Sequence, residues 1–121
     1  MSIILTSCAQ SHDNIIGVWN VKTDYYQAVY EIVENEKTFY GKIHYYNDGT
    51  NEVKEDDGKD NYFLTGIEKK GKQYKNGKMY LPDGSYYEVV FTLKDANTLE
   101  LKMTFQGEPY KEVWQRKSNY N

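Results

Sequence analysis

Two turn signals set close together constrain this chain more than any other feature. Asn76-Gly77 accepts the positive φ angles of a two-residue type I′ hairpin, and Pro82-Asp83-Gly84 presets a second reversal. A short apolar run, Met79-Tyr80-Leu81, lies between them, and an alternating run begins at Tyr86. A chain that reverses twice in so short a stretch is expected to build a meander of antiparallel strands.

The rest of the chain keeps the same period. Tyr26, Ala28, Tyr30 and Ile32 fall on one face of an alternating run. Phe39, Gly41, Ile43 and Tyr45 share a face of the next, opposite Tyr40, Lys42, His44 and Tyr46. Gly41 inside a strand suggests a bend or a close backbone approach. Tyr87, Val89, Phe91 and Leu93 alternate in a third run, and Leu99, Leu101, Met103 and Phe105 in a fourth. Asn35-Glu36-Lys37, Asp95-Ala96-Asn97 and Gln106 to Pro109 read as the links, with Glu68 to Lys72 as a charged turn. Asn47 to Asn61, dense in charge and nearly devoid of apolar residues, reads as a long loop. No helical period of useful length occurs. The expected fold is all-β, a single antiparallel up-and-down barrel of about eight strands, because closure removes the exposed edges. Such a barrel is nearly filled by its own side chains or holds one small ligand.

Length and composition agree with one domain. The 121 residues include 13 tyrosines, and tyrosine suits half-buried pleated surfaces because it is a strand former with a polar tip. A formal net charge of −3 argues against nucleic acid, which asks for a basic stripe. No run approaches the roughly 18 apolar residues of a membrane-spanning helix. Cys8 is the single cysteine, so an internal disulfide is impossible.

Cys8 has a second meaning. Leu5-Thr6-Ser7-Cys8 resembles a bacterial lipobox, in which the cysteine is acylated and becomes the first mature residue. The preceding apolar stretch is short and lacks a basic region, so the segment is expected to be the end of a longer signal. Residues 1–14 are then signal remnant and tether, 15–117 the barrel and 118–121 a tail. Ala9 after the cysteine points, by analogy with lipoprotein sorting, to the outer membrane of a bacterial envelope, the domain facing the periplasm. The membrane is met through the lipid alone. His12 in the tether reads as a solvated side chain.

At this point the sequence resembles the DUF2147 family of small exported bacterial proteins. The family's early G-x-W appears as Gly17-Val18-Trp19, its G-[KR]-I as Gly41-Lys42-Ile43, and its closing W-x-R as Trp114-Gln115-Arg116. Its G-G-x-I-Y-x-P segment corresponds to the stretch that opens at Asn76-Gly77. Asn76 stands where a glycine is usual and Leu81 where an acidic residue precedes the proline; the family's Asp-x-x-Asn stretch is not recognisable between Asn51 and Asn61. The family is uncharacterised, so the resemblance implies a fold and an address. G-x-W on the first strand with an arginine closing the last also resembles the signature of lipocalin-like barrels. Where first and last strands pair, the Arg116 guanidinium can lie over the Trp19 indole, a cation–π contact worth roughly 1–2 kcal/mol when desolvated. Gly17, Trp19, Trp114 and Arg116 are therefore expected to close the barrel.

Catalytic and metal chemistry find little support. His12 and His44 stand far apart with no cysteine partner, and Glu52, Glu55, Asp56, Asp57 and Asp60 miss the spacing of a calcium loop. No phosphate loop, G-x-S-x-G elbow or H-E-x-x-H is present. Glu112 with Tyr110 or Tyr30 could serve as acid and base, but reads first as a hydrogen-bonded structural group. Binding fares better. If the Leu99 face points inward, the same parity puts Tyr30, Tyr45, Tyr87, Tyr110 and Glu112 inside, a lining suited to a small amphipathic ligand. The plain alternative is that these rings fill the core. A third reading is an interaction module for protein or glycan on the outer face, where Tyr40, Tyr46 and Tyr86 are expected. The sequence thus points first to a non-enzymatic, cofactor-free binding protein, with a monomer favoured and an enzyme of unknown class as the distant alternative.

Overall fold

A computed structural model describes residues 14–54, 62–81 and 83–117. Cys8, His12, the tether and tail, and residues 55–61 of the acidic loop lie outside this set. The strands are β1 Gly17–Lys22, β2 Gln27–Asn35, β3 Thr38–Asn47, β4 Glu52–Lys54, β5 Tyr62–Lys70, β6 Gln73–Tyr80, β7 Tyr86–Asp95, β8 Thr98–Phe105 and β9 Glu108–Arg116. They pair in the order β2-β1-β9-β8-β7-β6-β5-β3, and β3 returns to β2. Eight antiparallel strands thus close into a barrel, and β4 adds a short pairing on β3 within the stretch read as loop.

The first turn signal does something other than expected. Asn76-Gly77 is not a hairpin; it lies inside β6, where the register against β7 slips between Tyr74 and Gly77. The positive φ of Asn76, 65°, makes a bulge, so that Tyr74 and Gly77 both face inward. A β-carbon on Gly77 would meet Ile67 at 2.8 Å and Val89 at 3.0 Å, so only glycine fits the wall there. Gly41 plays the same part against Leu64, at 2.9 Å. The second signal does reverse the chain: the Leu81 and Gly84 amides donate to the Ser85 and Leu81 carbonyls. Elsewhere tight two-residue turns use Glu36-Lys37, both at positive φ, and Gln106-Gly107.

A second bulge changes which tyrosine faces the interior. Tyr30 pairs with Ile43 but Val29 pairs with Tyr45, so His44 is an extra residue in β3. Past it the parity inverts. Tyr46, opposite Ala28, turns inward and stacks on Tyr26 with ring centroids 5.3 Å apart, whereas Tyr45 turns outward beside Val29. Period-two alternation predicts the reverse for both.

The core is packed with rings. Trp19 and Trp114 are both fully buried, and Tyr30 lies between Phe63 and Trp114 at 4.4 and 5.0 Å. Phe91 meets Trp114 edge-on at 5.1 Å. Ile32, Leu64, Ile67, Val89, Leu99 and Leu101 fill the remainder, each with 1% exposure or less. At about 25 cal/mol per Å² of apolar surface removed from water, such rings dominate the stabilisation of the fold.

Candidate functional site

The two ends of the barrel are built differently. One end gathers the β2–β3, β5–β6 and β7–β8 turns and is closed by Arg116. Its guanidinium lies 4.5 Å from the Trp19 ring centroid and donates to three carbonyls: Nε to Ala96 at 2.8 Å, Nη1 to Ile16 at 2.8 Å and Nη2 to Asn14 at 2.9 Å. Desolvation is the pull that lowers the arginine pKa, yet its donors are met by backbone. Trp19 Nε1 donates to the Ile15 carbonyl at 3.0 Å. Gly17, at φ 142°, leaves room for the guanidinium; a β-carbon there would sit 2.6 Å from Nη1.

The other end has no such seal among the described residues, and in that sense is open; it carries a carboxylate. Glu112, on β9, is only 8% exposed. Its Oε1 accepts hydrogen bonds from the Tyr26 hydroxyl at 2.7 Å and Trp114 Nε1 at 2.9 Å, and its Oε2 from the Tyr110 hydroxyl at 2.6 Å. Charged acceptors with several donors are held strongly, and a carboxylate so placed needs them. Two oxygens offer about four lone pairs, so one direction on Oε2 is left after these three bonds. Burial pushes the Tyr26 hydroxyl far above its ordinary value, with Tyr30 and Glu112 adding to the push. Burial also raises Tyr30 and Tyr110, the latter reinforced by its bond to Glu112. Tyr46 is pushed up to about 12, first by burial and then by its hydroxyl's bond to Asp48 at 3.0 Å. All four tyrosines are therefore neutral at ordinary pH, and Tyr26, Tyr46 and Tyr110 act as donors.

Of the interior residues expected from parity, Tyr30 is buried beneath the carboxylate, Tyr110 and Glu112 are bonded to each other, and Tyr87 stands on the rim. Tyr87 packs on Phe105 at 5.4 Å, and Phe105 faces Tyr110 at 6.3 Å. Tyr45 is outside, for the bulge has turned it away; its hydroxyl accepts from Asn47 Nδ2 at 3.1 Å. In its place the mouth gains Tyr26 and Tyr46, with Met79 and Met103 packed against the core beside them. The Trp114 donor to Glu112 was visible in principle, since residues two apart share a strand face. Tyr26 could not be paired with Glu112 from sequence, because 86 positions separate them.

The core below Glu112 is filled, so any ligand site at this end is shallow. Three concavities of about 340, 450 and 680 Å³ open on the outer wall and at the closed end. The smallest is lined by Val18, Val29, Tyr45 and Lys117 beside a His44–Glu31 pair at 2.8 Å. Among the described residues, no group of three or more His, Cys, Asp and Glu side chains is arranged to hold a metal ion.

An antiparallel eight-stranded barrel, sealed at one end by an arginine over an indole and open at the other, is lipocalin-like. The structure is similar to that of protein HP1028 from the human pathogen Helicobacter pylori, described as belonging to the lipocalin family, with a TM-score of 0.69. That match has 20% identity and covers 88% of this chain and 84% of the other. The model of the family described as an uncharacterized protein conserved in bacteria (DUF2147) matches residues 17–116, and the chain belongs to that family. No curated protein matches it.

Proposed function

We propose that this is a non-enzymatic binding protein of the bacterial envelope that takes a small amphipathic ligand at the open end of its barrel. The observation that carries the reading is the buried Glu112 carboxylate, held by Tyr26, Tyr110 and Trp114 under a half-buried aromatic rim. The open direction on Oε2 suits a head group that donates a hydrogen bond, such as an amine or hydroxyl. Tyr46, Tyr87, Met79, Met103 and Phe105 offer apolar surface for the rest of the molecule. Tyr110 and Tyr87 are the ligand contacts from the sequence reading that fit a shallow site, with Tyr30 as its floor. Acylation at Cys8 would hold the domain at the outer membrane, periplasm-facing and monomeric, through the tether that ends near Asn14.

Native mass spectrometry of the full chain, purified gently from bacterial envelopes, tests the reading. A bound small molecule that leaves on denaturation supports it. A protein that stays empty after exposure to envelope lipid extracts contradicts it. For the anchor, Cys8→Ser in a gene carrying the upstream signal should move the protein out of the membrane fraction, and unchanged retention would contradict acylation.

A further inference from the structure

The outer wall of β7, β8 and β9 carries charge in an arrangement that the fold alone does not ask for. Lys94, Lys102 and Lys111 all converge on one carboxylate, that of Glu100, with Nζ to oxygen distances of 4.0, 3.8 and 3.7 Å. Glu100 is nearly buried among their stems, whereas each lysine side chain is more than half exposed. Three ammonium groups against one carboxylate leave two uncompensated positive charges in one small patch. Lys102 and Lys111 stand directly opposite each other across the β8–β9 pair, a like-charge placement that weakens a sheet. In a chain whose formal net charge is −3, this patch runs against the general sign. A rule broken locally at a cost in stability marks a surface with a use.

The patch adjoins a groove. Residues of β6, β7 and β8 bound an outer concavity of about 680 Å³, with Lys75, Asn76, Tyr86, Lys102 and Thr104 among its lining and Glu88 as its one acidic group. The Asn76 bulge lies in the β6 side of this groove. At its end Tyr86, 46% exposed, packs against Tyr80 at 5.5 Å, and Lys78 Nζ lies 4.9 Å from the Tyr86 ring centroid. Positive charge, an exposed ring and neutral hydrogen-bonding groups therefore share one stretch of the outer wall.

We propose that this wall binds an acidic polysaccharide, a chain of sugar rings bearing carboxylates. Lys102, Lys111 and Lys94 take the acid groups, the face of Tyr86 takes the apolar face of a sugar ring, and Asn76 and Thr104 meet hydroxyls in the groove. A flat anionic bilayer matches the surface less well, because Lys75, Lys102 and Tyr86 line a concavity, with Lys94 and Lys111 beside it. The groove adjoins the barrel mouth, since Tyr87 and Met103 line both, but the lysines, Asn76, Thr104 and Tyr86 that carry this proposal belong to the outer wall.

Calorimetry of the full chain with polygalacturonate, neutral dextran and phosphatidylglycerol vesicles tests the proposal. Polygalacturonate is expected to bind, more weakly as salt rises, and dextran not to bind. The double variant Lys102→Gln/Lys111→Gln should weaken binding on the order of tenfold, the loss expected for two modest exposed charge contacts. Its thermal midpoint should change little, since the relief of a like-charge pair offsets the loss of two exposed contacts to Glu100, which keeps Lys94. Tyr86→Ala should weaken binding while keeping the salt dependence. Equal binding by the double variant, or vesicles binding as tightly as polygalacturonate, would overturn the proposal.

Discussion

Each end of this barrel holds one charged side chain in a protected place, and the two are held by different means. Arg116 at the closed end is met by three backbone carbonyls and an indole face. Glu112 at the open end is met by side chains, two hydroxyls and an indole N–H. Backbone carbonyls are fixed by the strands and turns that carry them, so the arginine locks the first strand, the last strand and the β7–β8 turn together. A tyrosine hydroxyl can rotate away or be replaced by another donor at little cost to the backbone. The closed end is thus fixed by backbone, whereas the hydrogen bonds at the other end are made by side chains that can rearrange.

Mutations should separate the two ends. The largest loss is expected from Arg116→Ala, which strands three carbonyls and uncovers Trp19. Hydrogen bonds to charged groups are worth about 1.5–3 kcal/mol each, so the thermal midpoint should drop by roughly 10 °C or more. An unchanged midpoint would contradict the closure role. Glu112→Gln comes next, at about 1–3 kcal/mol, because the amide cannot satisfy the donors that face the carboxylate. If the amide variant melts with the parent protein, the network is not structural. Tyr45→Ala and Tyr46→Ala make the smallest but sharpest contrast: the inward Tyr46 should cost more in denaturant unfolding than the outward Tyr45. The opposite order would place the bulge elsewhere.

The tyrosines also set an alkaline limit. Their folded pKa values lie above the ordinary value near 10, so the native state keeps protons that the unfolded chain releases. This contribution is fully present below pH about 10. It is lost as pH rises through the folded values, the first being that of Tyr46 at about 12. Unfolding midpoints followed from pH 9 upward should therefore fall, and fall less steeply in Tyr26→Phe. A flat profile would mean the hydroxyls are not held neutral by the fold.

Much of this was legible in the sequence, for a definable reason. Where strands run without interruption, as from Leu99 to Phe105 and from Tyr110 to Arg116, alternation places every side chain, and Glu112 and Arg116 fall where expected. The inserted His44 defeats the same logic. One extra residue flips all that follows, and nothing in the composition of β3 marks it, so Tyr45 and Tyr46 exchange places. Asn76-Gly77 misleads because positive φ serves a bulge as well as a turn. Glu36-Lys37 adopts positive φ with neither glycine nor asparagine, so its turn type carries no sequence mark. Contacts across the barrel, such as Tyr26 with Glu112, depend on closure and not on any local pattern.

The chain carries a natural reporter at each end. Trp19 and Trp114 are equally buried, and their indole N–H groups donate to the Ile15 carbonyl and to Glu112 respectively. The most direct measurement is therefore a titration of the nitrogen-15-labelled full chain with decylamine, an amphiphile with a donor head, followed by both indole signals. Binding at the open end predicts that the Trp114 signal moves saturably while that of Trp19 stays in place, and that Glu112→Gln abolishes the movement. If neither signal moves, or both move together, the open end is not the binding site.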